Sequence, residues 1–515
     1  MRAAGVAQTQ DRSFDGGEGR LLASGVLLQQ IAQACGLLAL LAVVTLLARR
    51  LSVAELGAYG LVASLAGYLL VLRNSVASSA VRAMAGATES AERSRTYSAA
   101  VLLYGVVGVA TGLAIAAAAL AIAGLILAGD LAYDARTGGV LLGLVTAVGI
   151  LASVNLDALR AERLFVRAAT IEIAAVAIYV VVMLVLILAG AGLGAVIAVS
   201  GALPLLSGSL SAVALRRRGL PYRWSPDGLG RARLMTILPT AGWLLVVEMA
   251  NLVMYASQRL VLGAYTSTRA VGLFEGPVRA HNLLYALSGA LAVPVVPTAA
   301  GYVASGDRRR LAELAVRGTR YTLGLAVPLV VTLMVLAEPI LEVWLGDRYG
   351  GGGAALTIIV SYWLLYSALV VTPGFLVGAG RARTVGLVFI AAAAANVALS
   401  LVLTPEIGLE GPAVATAVPL ALAFPLLLRT GLRVAGVPIG QLIRRAFLPA
   451  YATGAGVAGA LLLLRAAADL ESLPAVAVAA VGAVLGGWLL FYALWLDSAE
   501  RRLLSTLLRR QPTAG

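Results

Sequence analysis

Lysine is absent: all 39 basic residues of this 515-residue chain are arginine. A Walker A phosphate loop needs its lysine, so ATP hydrolysis by this chain is excluded. The arginine-only usage itself reads as codon bias. Cysteine is reduced to Cys35, set in an apolar run, which rules out a disulfide framework and a zinc site. His281 is the single histidine, a residue type that in such a setting more often packs than reacts. Charged residues make up 12% of the chain, against about 25% in soluble domains. There is no Asp-x-Asp pair, and no loop between apolar segments approaches the about 50 residues that a folded domain needs, so a transferase or ligase head is missing. The string GAGVAG (454–459) matches a dinucleotide fingerprint literally. No strand precedes it and it lies in an apolar run, where small residues serve close helix packing. GVATG (108–112) reads the same way, and GGGG (350–353) reads as a flexible outer turn.

What is present is apolar surface. Hydrophobic residues are 60% of the chain and the mean hydropathy is +0.93. They come in blocks that suit membrane-spanning helices of about 20 residues. The expected fold is an all-α polytopic membrane protein with fourteen spans near 23–48, 56–81, 98–128, 138–159, 169–189, 193–215, 234–262, 270–299, 319–343, 354–379, 384–404, 411–432, 446–466 and 474–496. The 57 glycines fit helices that approach closely in lipid.

Arginine placement tests that count. With the N-terminus inside, 30 arginines fall on inner segments, 7 on outer ones (Arg259 among these) and two, Arg73 and Arg279, within spans. This is the positive-inside pattern, and a miscounted span would invert every later loop. Both termini are therefore expected in the cytoplasm and the chain in the cytoplasmic (inner) membrane. The net charge of +14 belongs to the face near anionic lipid, not to nucleic acid. The expected organisation is a disordered polar tail (1–20), a six-helix bundle (21–218), a cytoplasmic linker (219–233), a second six-helix bundle (234–435), two further spans (436–497) and a cytoplasmic tail (498–515). The polar N-terminus carries no signal-peptide pattern.

The two halves echo each other. AELGAYGLVAS (54–64) resembles RAVGLFEGPVR (269–279), and GLILAGD (124–130) resembles ILEVWLGD (340–347), at nearly equal offsets. An internal repeat of six-helix units suits a transporter with its site at the repeat interface. In LARRLSVAELGAYGLVAS (47–64), Ser52 and Glu55 form a capping-box signature after the pair Arg49–Arg50. That stretch resembles the segment after the first helix of polysaccharide flippases, the oligosaccharidyl-lipid branch of the multidrug/oligosaccharidyl-lipid/polysaccharide exporter superfamily. ALAVPVVPTAAGYVASGDRRRLAELAVRGTRYTLGLAVPLVV (290–331), AEPILEVWLGDRYGGGGAAL (337–356) and ANVALSLVLTPEIGLEGPAVAT (395–416) resemble the same family in the same order, over about residues 20 to 435.

The resemblance implies two six-helix bundles walling one cavity. It also implies translocation of a polyprenyl-pyrophosphate-linked oligosaccharide to the outer leaflet by alternating access, with membrane lipids around it and a polysaccharide polymerase and glycosyltransferases as candidate partners. It implies no cofactor, no metal and no enzymatic step. One departure is YASQRLVLG (255–263), with Ser257–Gln258 where many members carry an acidic residue. Other readings left open are a lipid II flippase, a cation-coupled drug exporter of the same superfamily, and a non-transporting scaffold of a polysaccharide synthase complex.

Charged and polar residues within spans are the candidates for function. Arg73 and Arg279 suit a diphosphate, because guanidinium forks match phosphate oxygens. Gln29 and Gln33, with Gln30 beside them, suit sugar hydroxyls or interhelical hydrogen bonds, and Asn251 and Asn282 are further cavity candidates. Glu248, mid-helix in WLLVVEMANLVMY, is the candidate for carrying a coupling proton. Asp157 and Arg160, three apart, read as a salt bridge or gate at the inner end of the fourth span.

With Cys35 replaced, cysteines introduced at Ser305 and Gly351 are expected to react with impermeant thiol reagents from opposite sides of the membrane. Labelling from one side refutes the topology.

Overall fold

Lipid offers no water to the peptide backbone, so a spanning segment must satisfy its own hydrogen bonds as helix. The computed structural model describes residues 16–501 except 88, 231–241, 293–294, 469 and 499. Some further side chains within helices, those of Gln29, Glu248 and Asn251 among them, lie outside the described residues. The described chain is helical, without strands, and each of the fourteen expected windows falls mainly on helix. Among the described residues ten helices are long and apolar enough to cross a membrane, or eleven if one bent pair counts as a single span. The fold divides into two compact units, Met1–Leu47 with Val62–Gly242 and Ala48–Leu61 with Trp243–Gly515.

The first unit is built from α1 (Gly16–Arg50), α2 (Val53–Gly86), α3 (Ser90–Leu125), α4 (Gly129–Ala161), α5 (Phe165–Leu188), α6 (Leu193–Val199) and α7 (Leu203–Arg217). The α1 tail and the first turns of α2 belong to the second unit. Helix α4 is central, packed by α3, α5, α6 and α7. Its contact with α3 is a small-residue seam: a Cβ on Gly108 would meet the Ala147 carbonyl oxygen at 2.6 Å, and one on Gly112 the Gly143 carbonyl oxygen at 2.5 Å. GVATG is thus a packing face. The turn after α5 closes on Gly190 at φ +72°, with Ala191 N donating to Leu186 O at 2.9 Å, the 6→1 bond of a helix C-cap. Helices α6 and α7 are bent by 46° at a short break, where Pro204 supplies no N–H. After α7 the chain is strapped down. Ser94 Oγ donates to Pro221 O at 2.6 Å, Tyr222 OH to Glu162 Oε1 at 2.8 Å, and Ser225 N to Ser98 Oγ at 2.7 Å. Burial and the Glu162 carboxylate push the Tyr222 phenol well above its ordinary pKa, so it stays the donor in that bond.

The second unit holds α8 (Gly242–Tyr265), α9 (Thr268–Ala292), α10 (Val295–Ala304), α11 (Arg308–Val335), α12 (Ala337–Leu345), α13 (Gly353–Ser361), α14 (Trp363–Tyr366), α15 (Thr372–Gly378), α16 (Ala382–Ile407), α17 (Glu410–Ala435), α18 (Ile439–Leu442), α19 (Leu448–Ala467) and α20 (Leu473–Trp495). Here the two echoing sequences meet. A Cβ on Gly57 would strike the Thr268 carbonyl oxygen, and one on Gly272 the Val53 carbonyl oxygen. Val53 and Thr268 are equivalent positions of the echo, so the starts of α2 and α9 cross reciprocally. Both helices are capped alike: Glu55 N donates to Ser52 Oγ at 3.2 Å and Ala270 N to Ser267 Oγ at 3.2 Å. Ser52 N returns a bond to Glu55 Oε2 at 2.7 Å, completing the capping box.

Arg348 joins two of the quoted motifs. Its Nη2 donates to Ala48 O at 2.5 Å and to Leu51 O at 2.9 Å, satisfying carbonyls at the end of α1. The GGGG run is not the flexible turn its composition suggests. Gly350, Gly352 and Gly353 are buried, within or just after a 3₁₀ turn (Asp347–Gly352) that leads into α13. Their lack of side chains admits Glu342 beside Gly350 and the Leu273 carbonyl oxygen beside Gly352. GAGVAG lies inside α19, where Gly454 faces Val327 of α11. The last helix, α20, and the segment after it are fixed to α11 by Trp488 Nε1 donating to Leu325 O at 2.9 Å and by an Arg320–Glu500 ion pair.

Replacing Gly272 with Val puts a branched side chain into backbone that cannot retreat. The expected loss is about 1–3 kcal/mol, read as a lower Tm in detergent. Gly67→Ala is the control: its Cβ meets nothing within 4 Å, and removing a helix-interior glycine is expected to leave Tm unchanged or raised.

Candidate functional site

Helix periodicity places Ser153, Asp157 and Arg160 along one face of α4. Arg73 of α2 lies against that face. Its Nε donates to Ser153 Oγ at 3.0 Å, its Nη1 to Asn74 Oδ1 at 3.3 Å, and its Nη2 pairs with Asp157 Oδ2. Asp157 is 1% exposed. It also accepts Tyr104 OH at 2.6 Å and, on its other oxygen, Arg160 Nη1 at 2.9 Å. Arg160 continues to Glu172 Oε1 of α5 at 2.8 Å. Four charged groups thus alternate in sign, and two guanidiniums balance two carboxylates. The Arg73 guanidinium carbon also sits 5.9 Å from the centre of the Tyr104 ring.

A cavity of about 300 Å³ opens beside this chain of charges. Its polar lining is Gln33, Arg73, Asn74, Ser153, Ser207 and Glu172, and its apolar lining includes Leu70, Leu156 and Val176. The volume stands at the lower end of the roughly 300–1,000 Å³ range of ligand pockets. The structure therefore brings Gln33 and Arg73 to one cavity, and it places Asp157 behind Arg73 rather than in the lining. Asp157 and Arg160 are bonded, as their spacing suggests, but within a larger network that the spacing does not reveal.

The second unit carries a comparable arrangement. Glu275 of α9 is fully buried. Its Oε1 accepts Arg259 Nε at 2.5 Å, and its Oε2 lies 3.1 Å from Arg279 Nη2, four residues along the same helix. Gly60 leaves the space that the Glu275 carboxylate fills. The Arg279 Nε is buried with no hydrogen-bond partner. Arg259, counted above among the outer-segment arginines, is instead 2% exposed inside α8. A guanidinium in the last turns of an apolar span resembles a boundary residue in sequence, but a buried carboxylate keeps it inside.

Ser257 and Gln258, the departure noted above, join a buried polar cluster. Gln258 Nε2 donates to Thr416 Oγ1 at 2.5 Å, Asn396 Nδ2 to Thr416 Oγ1 at 3.0 Å, and Ser257 Oγ to Asn396 Oδ1 at 3.4 Å. Asn396 and Thr416 lie in the quoted 395–416 stretch. His281 packs among Tyr255, Tyr362 and Trp363, its Nε2 2.5 Å from Tyr362 OH and its Nδ1 3.4 Å from Asn282 Oδ1. The side chains of Gln29, Glu248 and Asn251 lie outside the described residues.

Sequence reasoning missed Glu275, although Glu275 and Arg279 at i and i+4 in one apolar helix were a readable pair. It also missed Tyr104, Ser153 and Glu172, whose part depends on helix packing and leaves no local signal.

The family described as "Polysaccharide biosynthesis protein" matches residues 46–351, more than half of the chain. Among curated protein sequences none matches significantly. Among solved structures, the lipid II flippase MurJ in an inward closed conformation superposes with a TM-score of 0.69 at 15% identity, over 91% of this chain and 99% of that one. An inward-facing multidrug resistance MATE family transporter of the MOP superfamily superposes with a TM-score of 0.66 at 16% identity, over 78% of this chain and 95% of that one. A MOP superfamily transporter from Pyrococcus furiosus, whose binding pocket is described as of reverse polarity, gives 0.57 at 16% identity, over 81% and 96%. At these identities the likeness shows the fold.

Asp157 anchors both arginines of its network, so Asp157→Ala takes the carboxylate from the half-buried Arg73 while Arg160 keeps Glu172. The expected loss is about 1.5–3 kcal/mol, measured as thermal unfolding in detergent. A Tm equal to the parent's contradicts the buried network.

Proposed function

This chain belongs to the polysaccharide biosynthesis protein family, and from that premise we propose that it flips a polyprenyl-pyrophosphate-linked oligosaccharide from the inner to the outer leaflet. The observation that carries the reading is the cavity in the first unit, where Arg73 and amide and hydroxyl groups stand among apolar side chains around a void between membrane-spanning helices. A saccharide head group needs hydrogen-bonding walls, and a diphosphate needs a cation whose charge is not locked away. In this reading Arg73 is that cation. When phosphate oxygens draw Arg73 toward the cavity, Asp157 keeps Arg160 and Tyr104, so the exchange leaves no bare carboxylate. Gln33 and Asn74 suit the sugar hydroxyls.

Arg279 is the corresponding candidate in the second unit. Glu275 would retain Arg259 if Arg279 turned toward an anion, and the Arg279 Nε is a donor without a partner. Asn282 follows it on α9 as a further sugar-facing candidate. Gln29, Asn251 and the proton-coupling candidate Glu248 complete the set by position along their helices. The lipid-flippase likeness runs over 91% of the chain and the multidrug-transporter likeness over 78%, a difference in how far the shared fold extends.

The test is flipping in reconstituted vesicles, scored by lectin access to a lipid-linked oligosaccharide. A charged hydrogen bond is worth about 1.5–3 kcal/mol, so Arg73→Ala is expected to slow flipping roughly ten- to hundredfold at limiting substrate with expression intact. Arg279→Ala is expected to act in the same direction. Arg73→Lys restores only part of the rate, because the bidentate fork is gone. Parental flipping in both alanine variants refutes the assignment.

A further inference from the structure

Away from these charged networks, the second unit has a recess of about 630 Å³ where α17 ends. Helix α17 stops at Gly436, whose φ of +68° suits glycine. Val437 N donates back to Leu432 O at 3.0 Å. Pro438 then runs extended before α18. This reversal makes one end of the recess. Its wall is apolar along Phe424, Pro425, Leu428 and Leu432, and Arg429 and Arg433 stand along the half of it nearer the reversal.

Those two arginines are four residues apart on one helix face and both are exposed. Neither makes an ion pair or hydrogen bond among the described residues. The wall from Phe424 to Arg433 is about 13 Å long at 1.5 Å per residue. An apolar trough of that length, with two free guanidiniums at its half nearer the reversal and apolar side chains beyond, matches one ligand chemistry: an acyl chain with an anionic phosphate at its end. The surroundings add charge of the same sign. The next segment, Ile443–Phe447, is a π-helical turn with Arg444 and Arg445 exposed while Ala446 is buried. Phe447 ties that turn to the wall through a ring contact with Phe424 at 6.3 Å.

We propose that this recess binds one anionic diacyl phospholipid. Its phosphate is held by Arg429 and Arg433, and one acyl chain lies along Phe424, Pro425, Leu428 and Leu432. The site is separate from the cavity of the first unit and takes a different lipid from the proposed cargo. General attraction of arginines to an anionic surface needs no recess, no stoichiometry and no single chain. The proposed site requires all three.

The experiment is native mass spectrometry of the full chain, released from detergent with phosphatidylglycerol, phosphatidylethanolamine or a polyprenyl phosphate added. One phosphatidylglycerol is expected to be retained in preference to phosphatidylethanolamine. Each arginine near an anionic group contributes roughly fivefold in affinity, so the Arg429→Ala/Arg433→Ala pair should lower phosphatidylglycerol retention about twentyfold, to the phosphatidylethanolamine level. Leu432→Trp fills the trough with both arginines in place and should also abolish the retained lipid. Both variants are exposed or half-buried changes, and an unchanged Tm verifies that the fold persists. Equal retention of the two phospholipids by the parent, undiminished preference in the arginine pair, or retention of phosphatidylglycerol by Leu432→Trp overturns the proposal. Preferential retention of the polyprenyl phosphate overturns it as well, and flipping assays in vesicles remain an independent measure of the transport reading.

Discussion

A buried carboxylate shared by two guanidiniums is the interaction on which both units depend. In the first unit Asp157 holds Arg73 and Arg160, and in the second Glu275 holds Arg259 and Arg279. An isolated charge in a medium of low polarity is costly, and one pair repays that cost only when the remaining lone pairs are also met. Asp157 meets them with Tyr104 and Arg160. Glu275 has two cations for one negative charge, so its cluster keeps a positive surplus, while the Asp157 cluster, closed by Glu172, sums to zero. The two units solve the same problem with different residual charge.

Close backbone approach makes these clusters reachable. Gly57 and Gly272 let α2 and α9 cross at their first turns, and Gly60 then gives Glu275 its place. With any larger side chain at those positions the helices would stand apart and the carboxylate would lie against a void. The Arg348 bonds to Ala48 and Leu51 hold the turn from which α2 starts. The quoted motifs are therefore parts of one joint: a cap, a glycine crossing, an arginine clamp and a buried acid. Substitution at one part is felt at the others, because they share helices.

The sequence was legible wherever the physics is local. Helix existence followed from apolar block length, and the Ser52–Glu55 capping box from spacing three. GVATG and GAGVAG read correctly as packing faces, because a bilayer rewards small residues at helix contacts. Reading failed where one chain position is decided by a distant one. Arg348 and Ala48 are hundreds of residues apart, and nothing near either names the other. Arg259 looked like a membrane-boundary residue because its partner, Glu275, sits on the next helix. The GGGG run looked flexible by composition, yet Glu342 and Leu273 fill the room its missing side chains leave. At the candidate site, Gln33 and Arg73 stood out as polar residues in apolar helices. Tyr104 and Ser153 did not, because a hydroxyl becomes part of a charge network only through tertiary packing.

Pairing also bears on how such a site can release what it binds. A lone arginine facing a cavity of low polarity would hold a diphosphate strongly, and the same strength would oppose release on the other side. An arginine already bonded to a carboxylate starts from a lower energy, so in the proposed reading the net gain on exchanging Asp157 for phosphate would be the difference between two similar interactions. The carboxylate left behind would keep Arg160 and Tyr104, so the exchange would be reversible without a large unpaired charge at either end. A transporter moves an anionic lipid readily only if no step along the path is a deep well. In the proposed transport reading, a charge-balanced cluster such as Arg73–Asp157–Arg160–Glu172 would keep the wells shallow, and helix motion would need only to change which of two partners the half-buried Arg73 guanidinium meets.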